Sequence, residues 1–246
     1  MFYVDTHIHL QDYKTKDIKN VINNAMKNDV GCFVNASAYP TDWIKVEKLA
    51  ALYKQLIPAF GIHPWYVDKV PLDWATNLEK MLIKVPKAWV GECGIDNIKN
   101  HDIEKQTELF KIQAKLANIY KRPLIIHAVK ADNIFNQMFD LLPQKTIFHS
   151  FTGSIEWGRE LQKRGFYLGL NFSIMHKKNG GEIVRLLDYD HILLETDGPY
   201  QSGNKNDESF PENLWKLASF VAEKKNISLE KMRQILYQNW QRFLGE

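Results

Sequence analysis

The sequence predicts an α/β protein built as a single (β/α)8 TIM barrel, with its chemistry at the carboxyl face of the strands. Three observations predict it. Short apolar runs alternate with longer amphipathic stretches along the chain, the pattern of a parallel sheet with crossover helices. The 246 residues suit eight such units in one domain spanning 1–246. The turn after the first strand reads "THIH", where an open doubly wound sheet would usually carry a glycine-rich phosphate loop.

In order, strands are expected near Phe2–Thr6, Gly31–Ala36, Ile57–Ile62, Trp89–Glu92, Leu124–His127, Thr146–His149, Phe166–Leu170 and Ile192–Glu195. The clearest helix is Ile103–Tyr120, where Leu109, Ile112, Leu116 and Ile119 recur at helical spacing. Thr41 and Ser154 are expected to cap helix starts. Pro123 and Gly165 stand where helices stop and strands begin. Two closing helices are expected over about Pro211–Lys225 and Ser228–Phe243. The polar stretch Tyr200–Asn213 reads as a mobile loop beside the site.

Composition narrows the classes. Hydrophobic residues make up 45% and charged residues 25%, ordinary for a globular protein. A net charge of +3 does not by itself argue for nucleic acid, nor does it oppose a polyanionic partner. Cys32 and Cys93 form no CxxC and lie in apolar runs, so both are expected to be buried free thiols. Alternation turns Cys93 away from whatever Glu92 faces. No stretch is long and apolar enough for a bilayer, and no basic leader precedes the first strand, so a cytoplasmic location without membrane contact is expected.

The strand ends carry a recurring set of polar residues: "DTHIH", "GIHP", "GECG", "IIHA", "FHSF" and "ETDGP". They place His7, His9, His63, Glu92, His127, His149 and Asp197 where barrel active sites are assembled. His7 and His9, two apart just past a strand, can share a face. Singly, each has a plain reading: His127 or His149 could be a hydrogen-bonded core histidine. A carboxylate after a buried apolar run, as at Glu92 and Asp197, is costly unless it is paired or bound to metal. Together, four imidazoles and two carboxylates exceed one tetrahedral site and suit two metals sharing a bridge, with Glu92 as the central candidate. Asp5 is expected to orient a ligating imidazole, and Glu195 to be structural or to support a ligand from behind. His101, His176 and His191 read as surface or locally bonded residues, with His176 a weak site candidate after the seventh strand.

The ordered set "DTHIHL … GIHP … VGECGID … PLIIHA … FHSFTGS … LLETDGPY" resembles the TatD family of metal-dependent deoxyribonucleases, amidohydrolase-like hydrolases on a TIM barrel. The resemblance extends to "QNWQRFLG" and includes Gln106, Phe110, Gln113, Leu116 and Ala117 of the central helix. It implies one metal held by His7, His9, Glu92 and Asp197 and a second held by Glu92, His127 and His149. Asp197 would also accept the proton of the nucleophilic water, and His63 would face the substrate phosphate. The implied cofactors are two divalent ions, Mg or Mn in activity, with Zn or Ni in purified protein. The implied reaction is phosphodiester hydrolysis in DNA, on single strands or ends. Trp65 and Tyr66 offer a stacking surface for a base, or pack under a loop.

The chain departs from that pattern. Val129 and Lys130 stand where the family usually has an arginine and an acidic residue, and a lysine does not replace a bidentate arginine clamp. Asn171 and Phe172 replace a more glycine-rich segment, and the loop before Pro211 lacks the usual arginine. The competing function is therefore hydrolysis of a small-molecule amide, lactone or phosphoester on the same metal face. A non-catalytic partner protein is disfavoured by the intact ligand set. A monomer is compatible with the sequence.

Overall fold

The computed structural model describes residues 1–15, 17–99, 102–202 and 207–245. His101 and the middle of the polar loop, 203–206, lie outside these residues. The strands are β1 (Tyr3–Ile8), β2 (Val30–Ala36), β3 (Leu56–Phe60), β4 (Trp89–Asp96), β5 (Leu124–Val129), β6 (Thr146–Phe148), β7 (Tyr167–Leu170) and β8 (Ile192–Leu194). The helices are α1 (Ile18–Lys27), α2 (Pro40–Leu52), α3 (Trp74–Lys84), α4 (Ile103–Ile119), α5 (Asp132–Phe135), α6 (Ile155–Lys163), α7 (Ser173–His176), α8 (Gly180–Leu186), α9 (Leu214–Lys224) and α10 (Leu229–Leu244). The sheet order is β1 to β8 in sequence order, with parallel pairing, and Ile8 meets Gly198 in a parallel bridge just beyond β8. This is the (β/α)8 barrel the alternation predicts. No helix among the described residues is long and apolar enough to cross a membrane.

The chain divides into two compact units, Met1–Val34 with Ser150–Glu246, and Asn35–His149. In the first, α10 turns Met232, Ile235, Leu236, Trp240 and Phe243 inward. Ser228 caps it, accepting from the Lys231 N–H. Buried Asn239 donates to the carbonyls of Tyr189 and Ile192, at 2.7 and 2.8 Å, which fixes the start of β8. Ser154 caps α6 as expected, accepting from the Trp157 N–H. Strand β1 runs two residues past its expected end, so His7 lies within the strand rather than beyond it. The polar residues there belong to the strand because its far end pairs with the segment after β8, including a 2.7 Å bond from the His9 N–H to the Gly198 carbonyl. His176 ends α7 rather than lying in a loop. Cys32 is only half-buried, which corrects the expected full burial.

In the second unit, α4 packs on β4 and buries Gln106, Leu109, Phe110, Gln113, Ala114, Leu116 and Ala117. The expected stripe is partly displaced: Ile119 is exposed, while two glutamines are inside. Their amides are satisfied by strand backbone. Gln113 Oε1 accepts from Ile62 N–H at 2.7 Å, and Gln106 Oε1 accepts from Asp96 N–H at 2.8 Å. The clamps sit at the ends of β3 and β4, where the polar residues are. Helix α2 begins at Pro40 with Tyr39 as its N-cap, so Thr41 lies inside the first turn instead of capping it. Strand β4 extends four residues beyond Glu92, because Gly94, Ile95 and Asp96 pair with His127, Ala128 and Val129. The flanking glycines allow this approach. Gly91 and Gly94 have φ of 143° and 150°, and a Cβ on Gly94 would stand 1.9 Å from the His127 carbonyl oxygen.

Candidate metal centre

The first unit brings together His7, His9 and Asp197. His7 Nε2 and His9 Nε2 lie 3.1 Å apart. Asp197 Oδ1 lies 3.6 Å from His7 Nε2 and 3.5 Å from His9 Nε2. All three residues are buried. Asp197 has φ 54°, the left-handed region that a non-glycine residue enters only when its surroundings enforce it. The enforcement is visible: Asp197 N–H donates to the His7 carbonyl at 2.9 Å, and Asp197 O accepts from Tyr200 N–H at 2.8 Å. Asp5 fastens the same segment. Its Oδ1 accepts from Thr196 N–H at 2.9 Å and its Oδ2 from the Thr196 hydroxyl at 2.6 Å, with His7 N–H at 3.4 Å. The contact expected with an imidazole is thus replaced by a grip on the backbones next to His7 and Asp197. Burial raises the Asp5 carboxyl to about 7, against the pull of the Thr196 bonds. Glu195 Oε1 accepts from Ser150 N–H at 2.6 Å.

The second unit gathers His63, Glu92, His127 and His149. Glu92 Oε1 lies 2.8 Å from His127 Nδ1, 2.8 Å from His149 Nε2 and 3.3 Å from His63 Nε2. His127 Nδ1 is 3.3 Å from His149 Nε2 and 3.2 Å from His63 Nε2. Glu92 sits mid-strand at the register shift of β4, not at a strand end. Its N–H donates to the Ser37 carbonyl at 3.1 Å.

Asp96 joins this cluster, and the sequence reading missed it. Its Oδ2 accepts from Trp65 Nε1 at 2.6 Å and lies 3.3 Å from His127 Nε2; its Oδ1 accepts from Ile98 N–H at 2.9 Å. The signal was there: Asp96 is four residues after Glu92 and so shares its face in a strand that continues. Burial raises the Asp96 carboxyl, but the bonds with His127, Trp65 and the Ile98 N–H outweigh it and hold it below the usual range. Ionised Asp96 can only accept, so His127 carries its proton on Nε2 and turns a lone pair on Nδ1 toward Glu92. Burial lowers His127, yet the bonds to Asp96 and Glu92 raise it overall.

His63 has the opposite arrangement. Its Nδ1 accepts from Trp65 N–H at 3.1 Å. Burial pushes its pKa down to about 4 despite the Glu92 carboxylate, so the ring is neutral near pH 7 and its proton is on Nε2. That nitrogen is a donor aimed into the site. Lys130 follows β5 at φ 51° with an exposed side chain, its carbonyl accepting from Asn97 Nδ2 at 3.3 Å.

The spacings fit metal ions. Two ligand atoms each about 2.1 Å from one ion stand about 3.0 Å apart at a right angle and about 3.4 Å apart at the tetrahedral angle. The first set spans 3.1–3.6 Å and the second 2.8–3.3 Å. Mixed imidazole and carboxylate donors accept Zn, Ni, Mn or Mg.

Barrel and ligand sets together define a metal-dependent hydrolase. The comparisons agree: residues 4–245 match the family model described as TatD related DNase, and the chain belongs to that family. An uncharacterized metal-dependent hydrolase of Methanocaldococcus jannaschii is 29% identical over 98% of this chain and 96% of its own length. Deoxyribonuclease Tat-D of Schizosaccharomyces pombe is 28% identical over 78% of this chain and 75% of its own. The crystal structure of the TatD homologue YjjV from Escherichia coli superposes with a TM-score of 0.90, covering 98% of this chain and 97% of that one at 24% identity.

Proposed function

We propose that this enzyme hydrolyses phosphodiester bonds in DNA, as an exonuclease on single strands or ends, using a water activated at two divalent ions. The observation that carries the reading is the ion-compatible spacing of two ligand sets. The deoxyribonuclease name of the fission-yeast relative supports the substrate. In this reading His7, His9 and Asp197 hold one ion, His127 and His149 hold the other, and Glu92 is the ligand common to both. Ions bound there, Mg or Mn in activity, would lower the pKa of a water and neutralise charge on phosphoryl oxygens. Asp197 would be the acceptor for a proton released in the site. His63 donates from Nε2 to a phosphate oxygen, a role its neutral, Trp65-oriented ring supports. Trp65 and Lys130 are the further substrate contacts.

The test is degradation of 3′- and 5′-labelled single-stranded DNA by metal-stripped protein after addition of Mg, Mn or Zn, with Glu92→Gln purified in parallel. The expected result is metal-dependent shortening that Glu92→Gln lacks while keeping its fold. No cleavage with any metal, from protein that still binds ions, would transfer the site to a small-molecule amide, lactone or phosphoester.

A further inference from the structure

The 3-10 turn Pro64–Lys69 leaves Trp65 39% exposed. Its ring centroid lies 4.9 Å from that of His63 and 6.4 Å from that of His127. Its Nε1 donates to Asp96 Oδ2 at 2.6 Å, so the carboxylate that orients His127 also fixes the indole. A large aromatic ring is thus held in one orientation and left partly open beside His63 and His127. Lys99 is tied to the same hub: its N–H donates to Asp96 Oδ1 at 3.2 Å. Its Nζ lies 3.8 Å from the Trp65 ring centroid. A cation therefore stands on a partly exposed aromatic face.

We propose that Trp65 and Lys99 form a two-part nucleotide contact beside the second ligand set. An unstacked base takes the indole face, and the Lys99 ammonium moves from that face to the adjoining backbone phosphate. The inference rests on the nuclease reading above and specifies how that substrate is held. The exchange suits both partners. An exposed cation–π contact is weak, base–aromatic stacking is stronger and tolerant of sequence, and an ammonium on a flexible stem pairs readily with phosphate. Only the Lys99 side chain has to rotate, because the Asp96 bonds hold its backbone and the indole in place.

The test is binding of fluorescein-labelled oligothymidylate, and of an abasic strand of equal length, to metal-free protein across a salt series, read by anisotropy. Lys99→Gln is expected to weaken both strands and to flatten the slope of log K against log salt by about 0.7, the share of one phosphate on a single strand. Lys99→Arg restores the slope. Trp65→Leu is expected to weaken oligothymidylate at least about fivefold more than the abasic strand, while Trp65→Phe keeps most of the difference. A wild-type salt slope in Lys99→Gln, or equal weakening of both strands by Trp65→Leu, overturns the contact and leaves the nuclease reading standing. A wild-type protein that binds neither strand overturns the contact, and the labelled-strand degradation assay above decides the nuclease reading separately.

Discussion

Asp96→Asn changes one oxygen to an amide nitrogen at the point where the His127 imidazole, the Trp65 indole and a turn meet. The carboxylate serves Trp65 Nε1 at 2.6 Å, His127 Nε2 at 3.3 Å, Ile98 N–H at 2.9 Å and Lys99 N–H at 3.2 Å. Asparagine has one acceptor oxygen. With that oxygen kept on the turn, its Nδ2 faces two donors. Loss of a charge-assisted bond costs about 1.5–3 kcal/mol. At about 2–4 °C per kcal/mol for a chain of this size, Tm falls by about 3–12 °C. The larger consequence is chemical. To accept from Nδ2, His127 must shed its Nε2 proton, and the proton moves to Nδ1, the nitrogen 2.8 Å from Glu92 Oε1. A lone pair needed by an ion is then blocked. Disturbing such a partner lowers metal affinity by about 10–100-fold. The assay is Mn or Zn titration against a competing chelator, with folding followed by circular dichroism. A folded Asp96→Asn protein with wild-type ion affinity would refute the role given to Asp96.

Further outcomes follow from the same geometry. Gln113→Met leaves the Ile62 N–H, 1% exposed with its residue, without its 2.7 Å acceptor. The cost is about 1–3 kcal/mol, read as a lower urea midpoint, and kcat falls with it because His63 is the next residue; an unchanged midpoint would count against the clamp. Gly94→Ala sets a Cβ 1.9 Å from the His127 carbonyl at φ 150°. It is expected to cost at least about 3 kcal/mol, and thermal unfolding at the wild-type temperature would contradict that close approach. Chelation should lower Tm by about 5–11 °C if ions are present at about a hundred times their Kd, a linkage of about 2.7 kcal/mol. Calorimetry with and without EDTA measures it, and Glu92→Gln should shrink the shift.

The barrel was legible because its alternation is a property of the whole chain, and the residues of the two clusters were legible because histidines and acids follow its apolar runs. Strand limits were not. The apolar run that marks the strand ends at Glu92, whereas in the sheet Gly94 lets β5 approach and β4 carries on to Asp96. The hub at Asp96 was hidden by that one boundary. Asp5 was placed correctly near the ligands but given the wrong partner, because its hydroxyl and amide donors at Thr196 are 191 residues away in the chain. The buried glutamines of α4 escaped the hydrophobic pattern for a related reason: they are satisfied by the backbone of Ile62 and Asp96, a match that only the packed helix reveals.

The most direct measurement of the central claim is an anomalous difference map from crystals equilibrated with Mn(II). The account predicts two ions, one bonded to His7 Nε2, His9 Nε2 and Asp197 Oδ1, the other to His127 Nδ1 and His149 Nε2, with Glu92 a ligand of both. Density at neither set, from protein that hydrolyses its substrate with Mn, would contradict it.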